Sequence, residues 1–212
     1  MRINAIEPTR SPNGKLRIRF EDDSSLLVYP SVIGDLGLYP GMELSLQELS
    51  NLRGSAARAS ARERAVRIIS AGTVTEKELL HRLRAKGEQD SRAHAAVDWL
   101  KELRLLDDRR AAEQIVASGI ARGYGEARLR QLLYEKGVPR ELWQDALAEL
   151  PEPEEGIHAF LSKRFRGKHP DRAEQKRAAD ALLRRGYRWG DIHRAMERYG
   201  SCEDGYDYDF EG

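Results

Sequence analysis

A single cysteine, Cys202, stands in 212 residues, so no intramolecular disulfide and no cysteine-based metal cluster can form. A reducing cytoplasm is the simplest compartment for such a chain. Long apolar runs are missing too. Nothing approaches the roughly eighteen consecutive apolar residues of a membrane helix, and the N-terminus has no apolar stretch of the signal-peptide kind. There is no glycine loop ending in Gly-Lys-Ser/Thr to cradle phosphate, no convincing dinucleotide fingerprint around Gly123 and Gly125, and no His-Glu-x-x-His. The histidines His81, His94, His158, His169 and His193 never fall at i, i+4 spacing. Asp107-Asp108 could hold a cation, but a helix cap accounts for the pair. The expectation is a soluble, unprocessed protein with no catalytic residue, no metal and no cofactor.

What the chain does have is a unit written three times. A helical pattern stops at a basic residue plus glycine at Lys86-Gly87, Lys136-Gly137 and Arg185-Gly186, with the glycines 50 and 49 residues apart. Four positions before each glycine stands Leu83, Leu133 or Leu182. After it, the sixth residue is Ala93, Trp143 or Ile192, the ninth Ala96, Ala146 or Ala195, the tenth Val97, Leu147 or Met196, and the thirteenth Leu100, Leu150 or Tyr199. Those offsets follow one face of a helix at 3.6 residues per turn. A period near fifty residues marks an array of helical units. The composition agrees: 40% hydrophobic with 33% charged residues is polar for a globular chain, as expected of thin units that expose much of their surface.

The first 46 or so residues differ. Leu16, Ile18 and Phe20 alternate with Arg17, Arg19 and Glu21, the period of a half-buried strand. Ile3–Ile6 and Leu26–Tyr29 offer partners, with turn chemistry at Pro12-Asn13-Gly14, Asp22-Asp23 and Tyr39-Pro40-Gly41. A small antiparallel sheet follows, read as a cap on the array rather than an independent binding module. Helices are then expected over 44–52 and 56–71, broken by Gly54; over about 75–86, with Thr75 and Glu78 as a capping box; and over 91–103. A second set runs over 108–122, 125–136 and 139–150, and a third over 154–165, 172–185 and 189–199, with Asp171 and Glu174 repeating the capping logic. The fold class is mainly α, an elongated array of three three-helix repeats with a small β-rich N-terminal segment. Its parts are 1–55 (the β-rich segment with a linking helix), 56–106, 107–151 and 152–200 (the three repeats), and 201–212, an acidic tail whose composition favours disorder.

The net charge of +1 conceals a split. Residues 201–212 hold five acids and no base, leaving a body of 36 basic and 30 acidic side chains, about +6. Basic density peaks between Ile157 and Arg188, where Lys163, Arg164, Arg166, Lys168, Arg172, Lys176, Arg177, Arg184, Arg185 and Arg188 face only Asp171, Glu174 and Asp180. An excess of one sign repels itself, so a partner rich in phosphate or carboxylate is expected there. Arg128, Arg130 and Lys136 extend the candidate surface. Tyr124, Tyr134, Tyr187 and Trp189 are candidates for stacking on unpaired bases. Trp99 and Trp143 fall on apolar helix faces and read as core.

Together, Glu78-Leu79, Leu83 and Lys86-Gly87, then Leu105-Leu106-Asp107-Asp108, then Leu129, Leu133 and Lys136-Gly137-Val138, then Arg185-Gly186-Tyr187-Arg188-Trp189-Gly190-Asp191-Ile192 resemble the RecX family of bacterial regulatory proteins. The resemblance spans about 56–199 and rests on the order and spacing of these motifs; it departs at Arg188 and Gly190, where serine and an acid are common. It implies a non-enzymatic modulator of the RecA recombinase. Such a protein would bind the RecA filament on single-stranded DNA and restrain ATP hydrolysis, strand exchange and co-protease activity in recombination, DNA repair and SOS control. A cytoplasmic monomer is expected. The alternatives from the residues alone are a sequence-independent nucleic-acid-binding helical protein and a helical protein scaffold.

Overall fold

The computed structural model describes residues 1–10 and 14–199. The expected tail over 201–212, the Gly200 stop and the Pro12-Asn13 turn lie outside the described residues. By contacts the chain divides into two compact units, Met1–Asp107 and Asp108–Gly212.

The first unit opens with an antiparallel sheet of three strands in sequence order, β1 (Ile3–Pro8), β2 (Leu16–Phe20) and β3 (Ser25–Val28). Ile6 pairs with Ile18 and Ile18 with Leu26, which places the apolar positions of β2 on the inner face. Ile3 and Ile6 are an odd number of residues apart and should point to opposite faces. A register shift between Ile3 and Ala5 sets Ile3 opposite Phe20 and turns it inward, where it is fully buried; one extra residue reverses the alternation. Helix α1 (Pro30–Leu36) follows, with proline in its first turn and left-handed Gly37 ending it, and no periodic signal in the sequence announces so short a helix.

Helix α2 (Leu46–Ser70) corrects the expected break at Gly54. It runs unbroken for 25 residues, about 38 Å. Its buried positions explain why: Leu49, Leu52 and Ala56 pack into the sheet's core, while Ala61, Ala65 and Ile68 pack against α3 (Glu76–Ala85) and α4 (Asp90–Glu102). Burial on both sides of Gly54 outweighs the roughly 1 kcal/mol that a mid-helix glycine costs. Ser45 and Glu48 form a capping box, the Glu48 amide donating to the Ser45 hydroxyl at 3.2 Å and the Ser45 amide to the Glu48 carboxylate at 2.8 Å. Thr75 caps α3 by accepting from the Glu78 amide at 3.2 Å, and the Glu78 carboxylate pairs with Arg82 one turn on.

The second unit holds α5 (Asp108–Ala121), α6 (Glu126–Glu135), α7 (Trp143–Ala146), α8 (Pro153–Phe165), α9 (Arg172–Arg184) and α10 (Trp189–Glu197). The expected helix over 139–150 is much shorter: a 3₁₀ turn at Arg140–Leu142 leads into α7. Tight bonds from the Ala148 amide to Asp145 and the Leu150 amide to Leu147 close it early, and the residue before Pro151 is pushed out of the helical region. Two separate cores form, one around Val116, Leu129, Leu133 and Leu147, the other around Ile157, Leu161, Leu182 and Ile192.

The three glycine stops are built alike. Gly87, Gly137 and Gly186 have φ of +84°, +72° and +86°. The amide after each reaches back to the leucine carbonyl: Glu88 to Leu83 at 3.1 Å, Val138 to Leu133 at 2.9 Å and Tyr187 to Leu182 at 3.2 Å. This is the left-handed helix cap that glycine adopts without a Cβ penalty. All three leucines are fully buried, each contributing about 1.5–3 kcal/mol to its core.

Candidate binding surface

In the second unit the start of α6 meets the end of α9. The amide of Gly125 donates to the Arg185 carbonyl at 2.8 Å, and that of Ala127 to the Gly186 carbonyl at 3.3 Å. The first amides of a helix have no partner within it, nor have the last carbonyls. Here each set satisfies the other, positive helix end against negative helix end. The approach admits no side chain. A Cβ on Gly125 would lie 2.6 Å from the Gly186 oxygen, and one on Gly186 would overlap the Arg128 backbone.

Arg185 is consumed by this junction. Its guanidinium donates to the Arg122 carbonyl at 2.7 Å and lies over the Phe160 ring, 4.9 Å from the centroid. Tyr187 is half-buried against the third-repeat core, its hydroxyl filling the space that a Cβ on Gly156 would need. Burial raises the Tyr187 phenol above its ordinary pKa, and the Arg185 charge partly offsets the rise. Tyr124 packs against the second-repeat core. Of the four candidate stacking residues, Trp189 and Tyr134 are exposed, Trp189 at 39% with its ring 6.2 Å from His193 and Tyr134 more so.

The basic candidates separate into two groups. Those near the junction are tied to carboxylates: Arg130 to Glu126 at 2.8 Å, Arg188 to Glu126 at 3.6 Å, and Arg128 to Glu135 at 3.4 Å. Lys136 occupies the C-cap of α6. An open groove of about 1050 Å³ beside the junction contains Arg130, Arg140, Arg188 and Arg194, but three of these are answered by acids, Arg194 by Asp191 and Glu154 at 2.5 and 3.4 Å. Arg140, over the Trp143 ring at 5.9 Å, and Arg194 are groove residues that sequence reasoning missed, because the groove they share is lined by segments far apart in the sequence.

The second group lies along α8 and α9. Lys163 and Arg164 form the last turn of α8, Arg166 caps it in the left-handed conformation at φ +49°, and Lys168 follows in the loop. Arg172 and Lys176 then stand one turn apart on α9, and Arg177 and Arg184 two turns apart. All are exposed. Asp171 and Glu174 are engaged with the first amides of α9, at 2.6 and 3.3 Å. Among the described residues, Lys163, Arg164, Arg166, Lys168, Lys176, Arg177 and Arg184 make no ion pair, leaving a strip of uncompensated charge that is densest at the corner from Lys163 to Lys168. Asp108 begins α5 directly after Asp107, the position a capping acid would take. No cluster of three or more His, Cys, Asp or Glu able to hold a metal occurs among the described residues, and no helix among them is long and apolar enough to cross a membrane.

Residues 107–147 match the second three-helix domain of RecX and residues 152–196 the third. The chain is 31% identical to the regulatory protein RecX of Chromohalobacter salexigens over 143 residues, 67% of this chain and 94% of that one. The chain belongs to the RecX family. The RecX of Clostridioides difficile is 22% identical over 201 residues, covering 92% of this chain and 94% of its own. A crystal structure of a regulatory protein RecX superposes with a TM-score of 0.67 over 92% of this chain and 98% of its own at 22% identity, and that of RecX from Lactobacillus salivarius with 0.58 over 68% and 96% at 21%. The mainly helical architecture with a small N-terminal sheet is thus that of RecX proteins.

Proposed function

We propose that this RecX-family regulator acts without catalysis on the RecA recombinase, binding the RecA filament on single-stranded DNA and restraining ATP hydrolysis, strand exchange and co-protease activity. The observation that carries the DNA side of this reading is the strip along α8 and α9, where seven cations stand without an acidic partner among the described residues. Phosphates neutralised by such a strip would release condensed counterions, the main source of affinity for nucleic acid irrespective of sequence. The reading divides the chain into a β-rich segment over 1–55, three-helix repeats over 56–106, 107–151 and 152–200, and the acidic segment 201–212. It places the protein in the cytoplasm as a monomer.

The test is the ATPase rate of RecA on single-stranded DNA as the protein is titrated in. Inhibition well below one protein per RecA supports action on the filament. Inhibition that sets in only when the DNA itself is saturated supports the second reading, sequence-independent competition for single strands, which the same strip would favour. No change in rate at any ratio would sink both.

A further inference from the structure

We propose that the open groove beside the α6–α9 junction receives an extended segment of the protein partner, one that presents an acid and a base about three residues apart with an apolar side chain beside them. Nucleic acid is left to the strip on α8 and α9; this rests on the reading that the partner is the RecA filament. The two surfaces differ in charge. Along the strip, seven cations stand without an acidic partner among the described residues. In the groove, four arginines are matched by four carboxylates, for a net charge of zero. A polyphosphate strand entering it would meet as many carboxylates as guanidiniums and gain no net attraction.

Balanced overall, the groove's charges are unequal locally. The Glu126 carboxylate is shared by Arg130 at 2.8 Å and Arg188 at 3.6 Å, which leaves one positive charge in excess. Arg194 faces two carboxylates, Asp191 at 2.5 Å and Glu154 at 3.4 Å, which leaves one negative charge in excess. Positions 188 and 194 are separated along the start of α10 by about 9 Å, the span of about three residues of extended chain. A segment with an acid and a base at that spacing answers both excesses, where a polyanion answers only one. Tyr124, Trp143, Leu150 and Tyr187 also line the groove, and the chain itself buries each of them only in part. An apolar side chain laid against them gains burial that the fold leaves unused. Pockets for side chains together with a few charged groups are the means by which peptide-binding grooves select a segment and fix its register.

The test uses the full chain and RecA assembled on an oligo-dT strand. Gln144 and Ala148 both line the groove and are exposed, so Gln144→Trp with Ala148→Trp fills it without changing its charge. The concentration that half-inhibits the RecA ATPase is expected to rise roughly tenfold, while affinity for free oligo-dT stays at the wild-type value. An unchanged half-inhibiting concentration overturns the proposal. Glu154→Lys decides between occupants by sign. Reversing the negative end should raise the half-inhibiting concentration where a segment brings a base to it. A lowered concentration together with tighter oligo-dT binding would place a strand in the groove and overturn the proposal. Should the filled variant melt below wild type, Cys202→Ser with Gln144→Cys carries a benzophenone at a single exposed position. Irradiated on the filament, it is expected to join RecA; attachment to the dT strand, or to nothing, overturns the proposal. Wild-type protein that fails to inhibit at any ratio overturns the RecA reading and the groove's partner with it, and this failure is told apart from that of the groove alone because it appears before any substitution is made.

Discussion

The amide of Gly125 bonds to the carbonyl of Arg185 at 2.8 Å, so one helix begins on the last turn of another sixty residues later. Gly186 next to it combines a left-handed φ with a backbone neighbour where a Cβ would stand. Gly186→Ala should destabilise the protein by roughly 2–4 kcal/mol, from strain together with loss of the junction bonds. Gly87 has nearly the same φ and nothing within 4 Å of a built Cβ, so Gly87→Ala should cost only the left-handed term, about 1–2 kcal/mol. Urea denaturation of both variants separates the two causes; equal losses would deny the close approach any energetic weight.

Gly54 lies inside α2, and a Cβ there would meet only the flexible end of Arg58 at 3.3 Å. Gly54→Ala should therefore stabilise the protein by about 0.5–1 kcal/mol, through lower chain entropy in the unfolded state and better helix propensity. A lowered melting temperature would mean that the helix needs flexibility at this point.

Reversing Lys163, Arg164, Arg166 and Lys168 to glutamate should weaken binding to single-stranded DNA and make the slope of log affinity against log salt shallower by about three units. Packing through Ile157, Leu161 and Phe165 should survive, because those side chains are buried while the four bases are exposed. Reversing Arg82, Arg84 and Lys86 should do less, since Arg82 is already paired with Glu78 and Arg84 with Asp90. Equal losses would spread the binding over the whole chain.

The Glu48 carboxyl is held below its ordinary pKa of 4.5 by the Ser45 backbone amide first and the Ser45 hydroxyl second. A depressed acid contributes stability that is full above its unfolded value and disappears as pH falls through the folded one. Melting temperatures of Glu48→Gln should thus lie below wild type at pH 7 and converge with it as pH falls below 4.5 and through the lowered folded value. Parallel curves throughout would show that the capping box does not depend on the carboxylate's charge.

The three leucine-to-glycine caps were legible because the helix end, its buried leucine and its left-handed residue lie within five positions of one another. Continuity through Gly54 was not, since what carries α2 across it is packing against a sheet on one side and two helices on the other. The inward turn of Ile3 was hidden by a single extra residue that changes the parity of β1. At the candidate surface, the density of positive charge could be counted, but its pairing could not. Arg188 finds Glu126 from 62 positions away and Arg185 finds the Arg122 carbonyl from 63, while among the described residues no such distant partner reaches the seven bases of α8 and α9.

The unbroken α2 makes the sheet and the first three-helix core mechanically one piece. A fragment begun at residue 56 would start in mid-helix without Ser45, with four amides newly opened to water and with Leu49 and Leu52 gone from beneath the strands. A protease seeking a nick between these two parts would find helical backbone rather than a hinge, and tension applied to the first strand would be carried along the rod directly into the packing of Leu79 and Leu83.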